Sequence, residues 1–238
     1  MVFLSARPEI TISFADEMKG LHNFAFGPFG ENTYLVEVSN QACIVVDPGM
    51  SNDAERRAFD DAVTAVGKEL VSCLLTHANL DHVAGLAHVA SHYGLKPRLH
   101  PMDVETYRQA PLAAQLYGFP MEPLPDEIQF DLEHGQVLNW GGVEEESIEL
   151  EVRFVPGHAP GHVVFICHKR SWMIAGDTLF DGSVGRTDLP GGDAQTLFDS
   201  IRRELYVLPA DMEVHPGHGP ATSIGKEAQT NPFVRGLG

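Results

Sequence analysis

Cysteine and lysine are scarce: three cysteines stand among 238 residues, and the lysines are Lys19, Lys68, Lys96, Lys169 and Lys226. Each shortage removes a class of explanation. Cys43, Cys73 and Cys167 sit singly in apolar, strand-like runs. They argue against a disulfide framework or a thiolate metal site and read as small buried hydrophobes. Basic residues number 16 against 33 acidic ones, a formal net charge of −17. So little positive charge argues against a nucleic-acid partner. An acidic, lysine-poor surface suits either high salt or an ordinary acidic cytoplasmic enzyme. Long apolar runs are missing too, and nothing approaches the ~20 residues of a membrane span. Met1 to Glu9 lack the basic start and long apolar centre of a secretory signal. The expectation is a cytoplasmic protein with no membrane partner; the oligomeric state is not legible.

What is present is globular and turn-rich, with 43% hydrophobic residues, 23 glycines and 16 prolines. The length fits one large domain over residues 1–238. Phe24 to Phe26, Asn32 to Val38, Ala42 to Asp47 and Leu70 to Leu75 read as strands. Gly27-Pro28-Phe29-Gly30 and Ser39-Asn40-Gln41 fit hairpin turns. Asn52 to Val66 reads as an amphipathic helix capped by Ser51 or Asn52. Val83 onward reads as a helix start, and Pro97 to His100 as a short strand. Pro101-Met102-Asp103 opens another helix. Ala110 to Ile128, without clean periodicity, reads as an irregular lid-like insertion. Gln136 to Asn139, Ser147 to Val155, His162 to Cys167 and Ser171 to Ile174 form a second strand set. The acidic Glu144–Glu146 stretch reads as a solvated hairpin end. Ala194 to Val207 and Ile224 to Thr230 read as helices.

Chemistry gathers at strand ends. Thr76-His77-Ala78-Asn79-Leu80-Asp81-His82 puts imidazoles and a carboxylate in one strand-to-helix loop, a common place for a site on a rigid scaffold. Imidazole with carboxylate suits zinc, manganese or iron better than magnesium or calcium. From this loop alone, Asp81 reads equally as a helix cap. Three later segments repeat the pattern: Gly157-His158-Ala159-Pro160-Gly161-His162, Ala175-Gly176-Asp177-Thr178, and His215-Pro216-Gly217-His218-Gly219-Pro220.

The four segments in this order, with Gly185-Arg186-Thr187-Asp188-Leu189-Pro190-Gly191-Gly192 and the tail Asn231-Pro232-Phe233, resemble the metallo-β-lactamase fold superfamily. Within it the chain is most similar to the glyoxalase II-like hydrolases. The resemblance covers nearly everything from Asn32 to Phe233. It implies an α/β fold, a four-layer αββα sandwich with mixed sheets and outer helices. It also implies two metals, zinc foremost and iron or manganese as alternatives. His77 and His158 fall to the first, Asp81, His82 and His218 to the second, and Asp177 bridges both. His162 supports the site without binding metal. Asp47 lies beneath the metal loop, where capping a turn is its expected role.

Residue 79 should complete the first metal's set, and here it is asparagine. An amide oxygen is a weaker, harder donor than an imidazole nitrogen, which puts a tight first zinc in doubt. The expected reaction is hydrolysis of a small-molecule thioester such as S-lactoylglutathione, by water that a metal activates near neutral pH. Asp81 and Asp177 would orient that water. Arg186 is a candidate for the substrate carboxylate or a structural partner of Asp188. Tyr117 and Phe119 are candidate pocket walls or simple core anchors. Longer glyoxalase II enzymes hold glutathione with a basic C-terminal extension, which lies beyond the stretch from Asn32 to Phe233 that carries the resemblance. Two other readings stay open. One is a mononuclear iron persulfide dioxygenase, holding its ion by His77, His158 and Asp177. The other is a metal-poor binding protein decayed at Asn79.

Overall fold

Strands that are apolar on both faces decide the architecture. In β3 (Glu31–Glu37) Tyr34 and Val36 face one way and Leu35 the other. In β8 (Val163–Cys167) Val163 and Phe165 oppose Val164 and Ile166. A period of two with both faces buried places each sheet inside, between two other layers. The computed structural model describes residues 12–13, 20–141 and 147–236. Met1 to Glu9 and the Glu144–Glu146 run lie outside the described residues.

The first sheet runs in chain order: β1 (Ile12–Ser13), β2 (Leu21–Phe26), β3, β4 (Ala42–Val46) and β5 (Glu69–Leu74). Its members are antiparallel until β5, which joins β4 in parallel. That pairing needs a crossover, and α1 (Asp53–Val66) supplies it. Asn52 starts the helix by accepting the amides of Ala54 and Glu55 at 3.0 and 3.1 Å. The second sheet contains β6 (Val137–Asn139), β7 (Glu149–Phe154), β8 and β9 (Trp172–Gly176). After the small hairpin β10 (Leu179–Phe180) and β11 (Ser183–Val184), β12 (Glu213–Pro216) pairs in parallel with β9, and β13 (Thr222–Ser223) closes the edge.

Helices α1, α2 (Leu86–Tyr93) and α3 (Val104–Tyr117) cover the outer face of the first sheet, where Phe59, Leu86 and Tyr107 meet Phe24, Leu35 and Val45. Between the sheets Tyr34, Val36 and Ile44 meet Val152, Phe165 and Trp172. Helices α4 (Ala194–Ser200) and α5 (Ile224–Thr230) cover the second sheet through Leu197 and Ile224. This is the αββα sandwich expected from the sequence. No described helix is long and apolar enough to cross a membrane.

Local expectations fare unevenly. The segment read as an irregular insertion from Ala110 is helical to Tyr117, with Pro111 inside α3. Buried Tyr107, Ala110 and Ala114 line one face of that helix, and their packing outweighs the amide Pro111 lacks. Only the following stretch, through Ile128, is irregular. Pro97 to His100 is no strand; Arg98 alone bridges Leu74 and Gln129. The helix expected from Val83 begins at Leu86, after turns. The one expected through Val207 widens after Ser200 into a π-helical stretch, with Tyr206 N–H bonded to the Ile201 carbonyl at 3.0 Å. His22, His134 and His168 meet Glu37, the Phe154 amide and Glu151 respectively. His88 bonds Asp60 at 2.8 Å.

All three cysteines are free and buried. Burial pushes the Cys43 thiol up to about 12, and Cys73 and Cys167 upward as well. Because the thiolate is the reactive form, native protein at pH 8 is expected to consume almost no Ellman's reagent and to react at all three thiols once denatured. Rapid native labelling would contradict this burial.

Candidate metal centre

Strand ends bring the site together. His77 follows β5, His158 follows β7, Asp177 follows β9 and His218 follows β12. Their side chains converge with those of Asp81 and His82 at one edge of the sandwich. Ligand atoms of His77, His158 and Asp177 lie within 4.8 Å of one another, as do those of Asp81, His82 and His218.

Each imidazole is oriented by a bond on its far nitrogen. His158 Nδ1 donates to the Arg186 carbonyl at 2.7 Å, and His218 Nδ1 to the Phe29 carbonyl at 3.2 Å. His82 Nδ1 donates to Asp47 Oδ2 at 3.0 Å. His77 Nδ1 lies 3.0 Å from Thr76 Oγ1, whose hydroxyl is already given to Asp47 Oδ2 at 2.6 Å. The hydroxyl therefore accepts from His77. In all four rings Nδ1 is the outward donor and Nε2 points into the site, the arrangement metal-binding histidines use.

The inward atoms test whether a cation fits. His77 Nε2 and His158 Nε2 face each other at 3.2 Å. Two bare nitrogens repel, but their spacing is near the ~3.3 Å that separates two nitrogens on one tetrahedral ion with ~2.0–2.1 Å bonds. His82 Nε2 and Asp177 Oδ1 are buried without hydrogen-bond partners and stand 3.5 Å apart. Asp177 Oδ2 lies 3.6 Å from both His158 Nε2 and His218 Nε2, and Asp81 Oδ2 is 3.3 Å from His218 Nε2. Burial and the neighbouring His82, His162 and His158 hold His77 well below its ordinary range, in the neutral form that ligates. Burial opposes charge on His82, yet Asp177 and Asp81 hold it well above the usual range. Burial likewise works against the Asp177 anion, and the surrounding imidazoles keep it low. The carboxylates call for positive charge in a place water scarcely reaches. The donor set fits divalent metal.

Asn79 takes part in this cluster: its Nδ2 lies 2.8 Å from His158 Nε2. His162 stacks on His77 with centroids 4.7 Å apart, and its Nε2 accepts the Asp177 amide at 3.0 Å. Gly217 has to be glycine, since a Cβ there would stand 2.2 Å from Asp177 Oδ1.

The outer candidates are less gathered. Arg186 gives its guanidinium to Asp188 at 2.7 and 2.8 Å, while its carbonyl holds His158. Tyr117 is exposed and lies within electrostatic reach of Arg186. Phe119 is buried and stacks on Phe29, whose carbonyl orients His218.

Sequence reasoning placed Asp47 as a turn cap, and the structure corrects this. Asp47 itself has a positive φ of 51°, and its carboxylate binds the Thr76 amide, the Thr76 hydroxyl and His82. Glu31, fully buried, was missed: Oε1 lies 3.8 Å from His82 Nδ1, and burial pushes its carboxyl well above the usual range. The available signal is a run of polar residues, Glu31, Asn32 and Thr33, opening a strand whose centre, Tyr34 to Val36, is apolar. Asn32 does more than extend its strand: its amide donates to the Pro216 and Gly219 carbonyls at 2.9 Å each, fixing the His218 loop.

Comparisons with known proteins agree with this geometry. The family profile described as metallo-beta-lactamase superfamily matches residues 26–218. The chain is 35% identical over 209 residues to the hydroxyacylglutathione hydrolase GloC of Haemophilus influenzae, covering 87% of this chain and 93% of that one. It is 34% identical to the probable metallo-hydrolase YqgX of Bacillus subtilis, over 89% of this chain and 95% of that one. Among solved structures it resembles TTHA1623 in a di-iron-bound form, with a TM-score of 0.77 and 40% identity, covering 87% of this chain and 97% of that one.

Proposed function

Since the chain belongs to the metallo-beta-lactamase superfamily, we propose that it is a metal-dependent hydrolase of small acyl thioesters, with residues 1–238 forming one catalytic domain. The observation that carries the reading is the place of Asp177. One of its oxygens faces His82, and the other stands equally far from His158 and His218, between the two ligand groups. His77, Asn79 and His158 would hold one ion, Asp81, His82 and His218 the other, and Asp177 both. Two bound ions would lower the pKa of the attacking water and stabilise charge on the thioester oxygen.

The chain's own part is orientation and proton handling. Asp81 and Asp177 position the water through their carboxylate oxygens. His162 holds Asp177 through its backbone amide. Tyr117 and Phe119 border the approach of the acyl group. No side-chain nucleophile is required, and the cysteines are buried away from substrate. Similarity to a hydroxyacylglutathione hydrolase supports the thioester, and similarity to a di-iron structure supports two ions. Zinc, iron and manganese all suit the donors.

Purified protein given S-D-lactoylglutathione is expected to release thiol. Thiol release and metal analysis on one preparation form the test. Oxygen uptake on glutathione persulfide, one iron per chain and no thiol release would overturn the hydrolase in favour of the dioxygenase. A metal-free, inert protein would favour a binding role.

A further inference from the structure

Asp103 stands at the start of α3, where an aspartate ordinarily caps its own helix by accepting an amide from the first turn. It makes no such cap. Its fully buried carboxylate turns away and takes donors from two loops distant in sequence. Oδ2 accepts the Ala78 amide at 2.6 Å, and Oδ1 accepts the Gly161 amide at 2.9 Å. The Thr106 hydroxyl supports Oδ1 at 3.1 Å. Ala78 lies between His77 and Asn79, and Gly161 lies three residues beyond His158 on the same loop. The approach is close: a Cβ on Gly161 would stand 2.4 Å from the Asp103 backbone nitrogen. Among the described residues the Asp103 carboxylate bonds Ala78, Gly161 and Thr106, and none of these bonds runs to Asp81, His82 or His218.

We propose that Asp103 is a positioning residue for one half of the centre: it clamps the Ala78 and Gly161 amides and so sets the spacing of His77, Asn79 and His158. The inference rests on the two-metal reading above. A carboxylate suits the task because it accepts on both oxygens without offering a hydrogen. Asparagine in its place would keep one acceptor and aim an N–H group at the other loop's amide. The clamp matters most on this side, because Asn79 gives it the poorer donor and preorganisation must make up the difference.

Zinc titration against a chromophoric chelator tests this on wild type, Asp103→Asn and Thr106→Val, with thermal unfolding of the metal-free proteins alongside. His158→Ala and His218→Ala assign the binding phases to the two halves. Asp103→Asn is expected to weaken the His158-dependent phase about 10–100-fold, the usual cost of losing an outer-shell partner. The His218-dependent phase should stay within about twofold, below that range. Thr106→Val should move the same phase in the same direction by less, and it decides the matter if Asp103→Asn does not fold. Equal weakening of both phases with a lower melting temperature would reduce Asp103 to a structural residue and overturn the proposal, as would unchanged binding. Wild type with two phases and insensitive variants overturns this inference alone; wild type that binds no zinc overturns the two-metal reading as well.

Discussion

Asp177→Ala is expected to abolish thioester turnover and to lower the metal content of the purified protein. The carboxylate stands between the two ligand groups, 3.5 Å from His82 and 3.6 Å from His158 and His218. Two dications in a binuclear centre sit about 3.5–4 Å apart. Their repulsion is four times that of unit charges at the same distance, and it grows where water is excluded. Removing the carboxylate proposed to bridge them would leave that repulsion without its counterweight. The loss should exceed the about 10–100-fold cost of losing a group that only supports a ligand. Asp177→Asn, with similar shape and no charge, should fail nearly as badly, which separates charge from packing. Metal per chain by mass spectrometry and thiol release on the same samples are the measurements. Full metal with near-normal activity in Asp177→Ala would mean that the centre is not bridged by this residue.

The second large effect is expected at residue 79. In the structure the Asn79 amide does not cap its own loop; Nδ2 lies 2.8 Å from His158 Nε2, on the nitrogen a first metal needs. As placed, the amide donates into that lone pair. Turning it over presents Oδ1 instead, a harder and weaker donor than imidazole. Wild-type protein should therefore surrender one ion to a mild chelator while keeping the other. Asn79→His should complete a three-imidazole group, raise the stoichiometry toward two, and increase hydrolysis of lactoylglutathione. The affinity gain for that ion should exceed the about 10–100-fold typical of outer-shell changes, since a direct ligand is replaced. Competitive chelator titration of the two proteins reads it directly. Identical metal affinities would remove Asn79 from the ligand set.

The sandwich and the ligand loops were legible in the sequence for one physical reason. Strands buried on both faces leave apolar runs, and imidazoles standing just after such runs have few other uses. The carboxylates that hold the loops were not legible. Asp47 and Asp103 look like ordinary turn and helix-start residues, because their partners Thr76, Ala78 and Gly161 lie 25 to 58 positions away. Local sequence carries no record of such a pairing. The length of α3 was missed for the opposite reason: Pro111 is a strong local signal for a break, and burial of Tyr107, Ala110 and Ala114 overrides it. Arg186 reads in sequence as a cation on offer, and only the structure shows Asp188 already holding it.

Asn32 reaches across from the first sheet to bind the carbonyls on either side of His218, contacts separated by 184 and 187 positions. That span gives the centre a history during synthesis. A chain emerging from the ribosome has His77, Asn79, His158 and Asp177 in hand once β9 is out, whereas Asp81 and His82 must wait for β12 and the turn after it. The order of synthesis thus runs opposite to the proposed order of affinity: the half with the poorer donor is complete first, and the other is complete only when the turn after β12 docks against Asn32 of β3. On the two-metal proposal, an ion taken up early would meet the weaker half first.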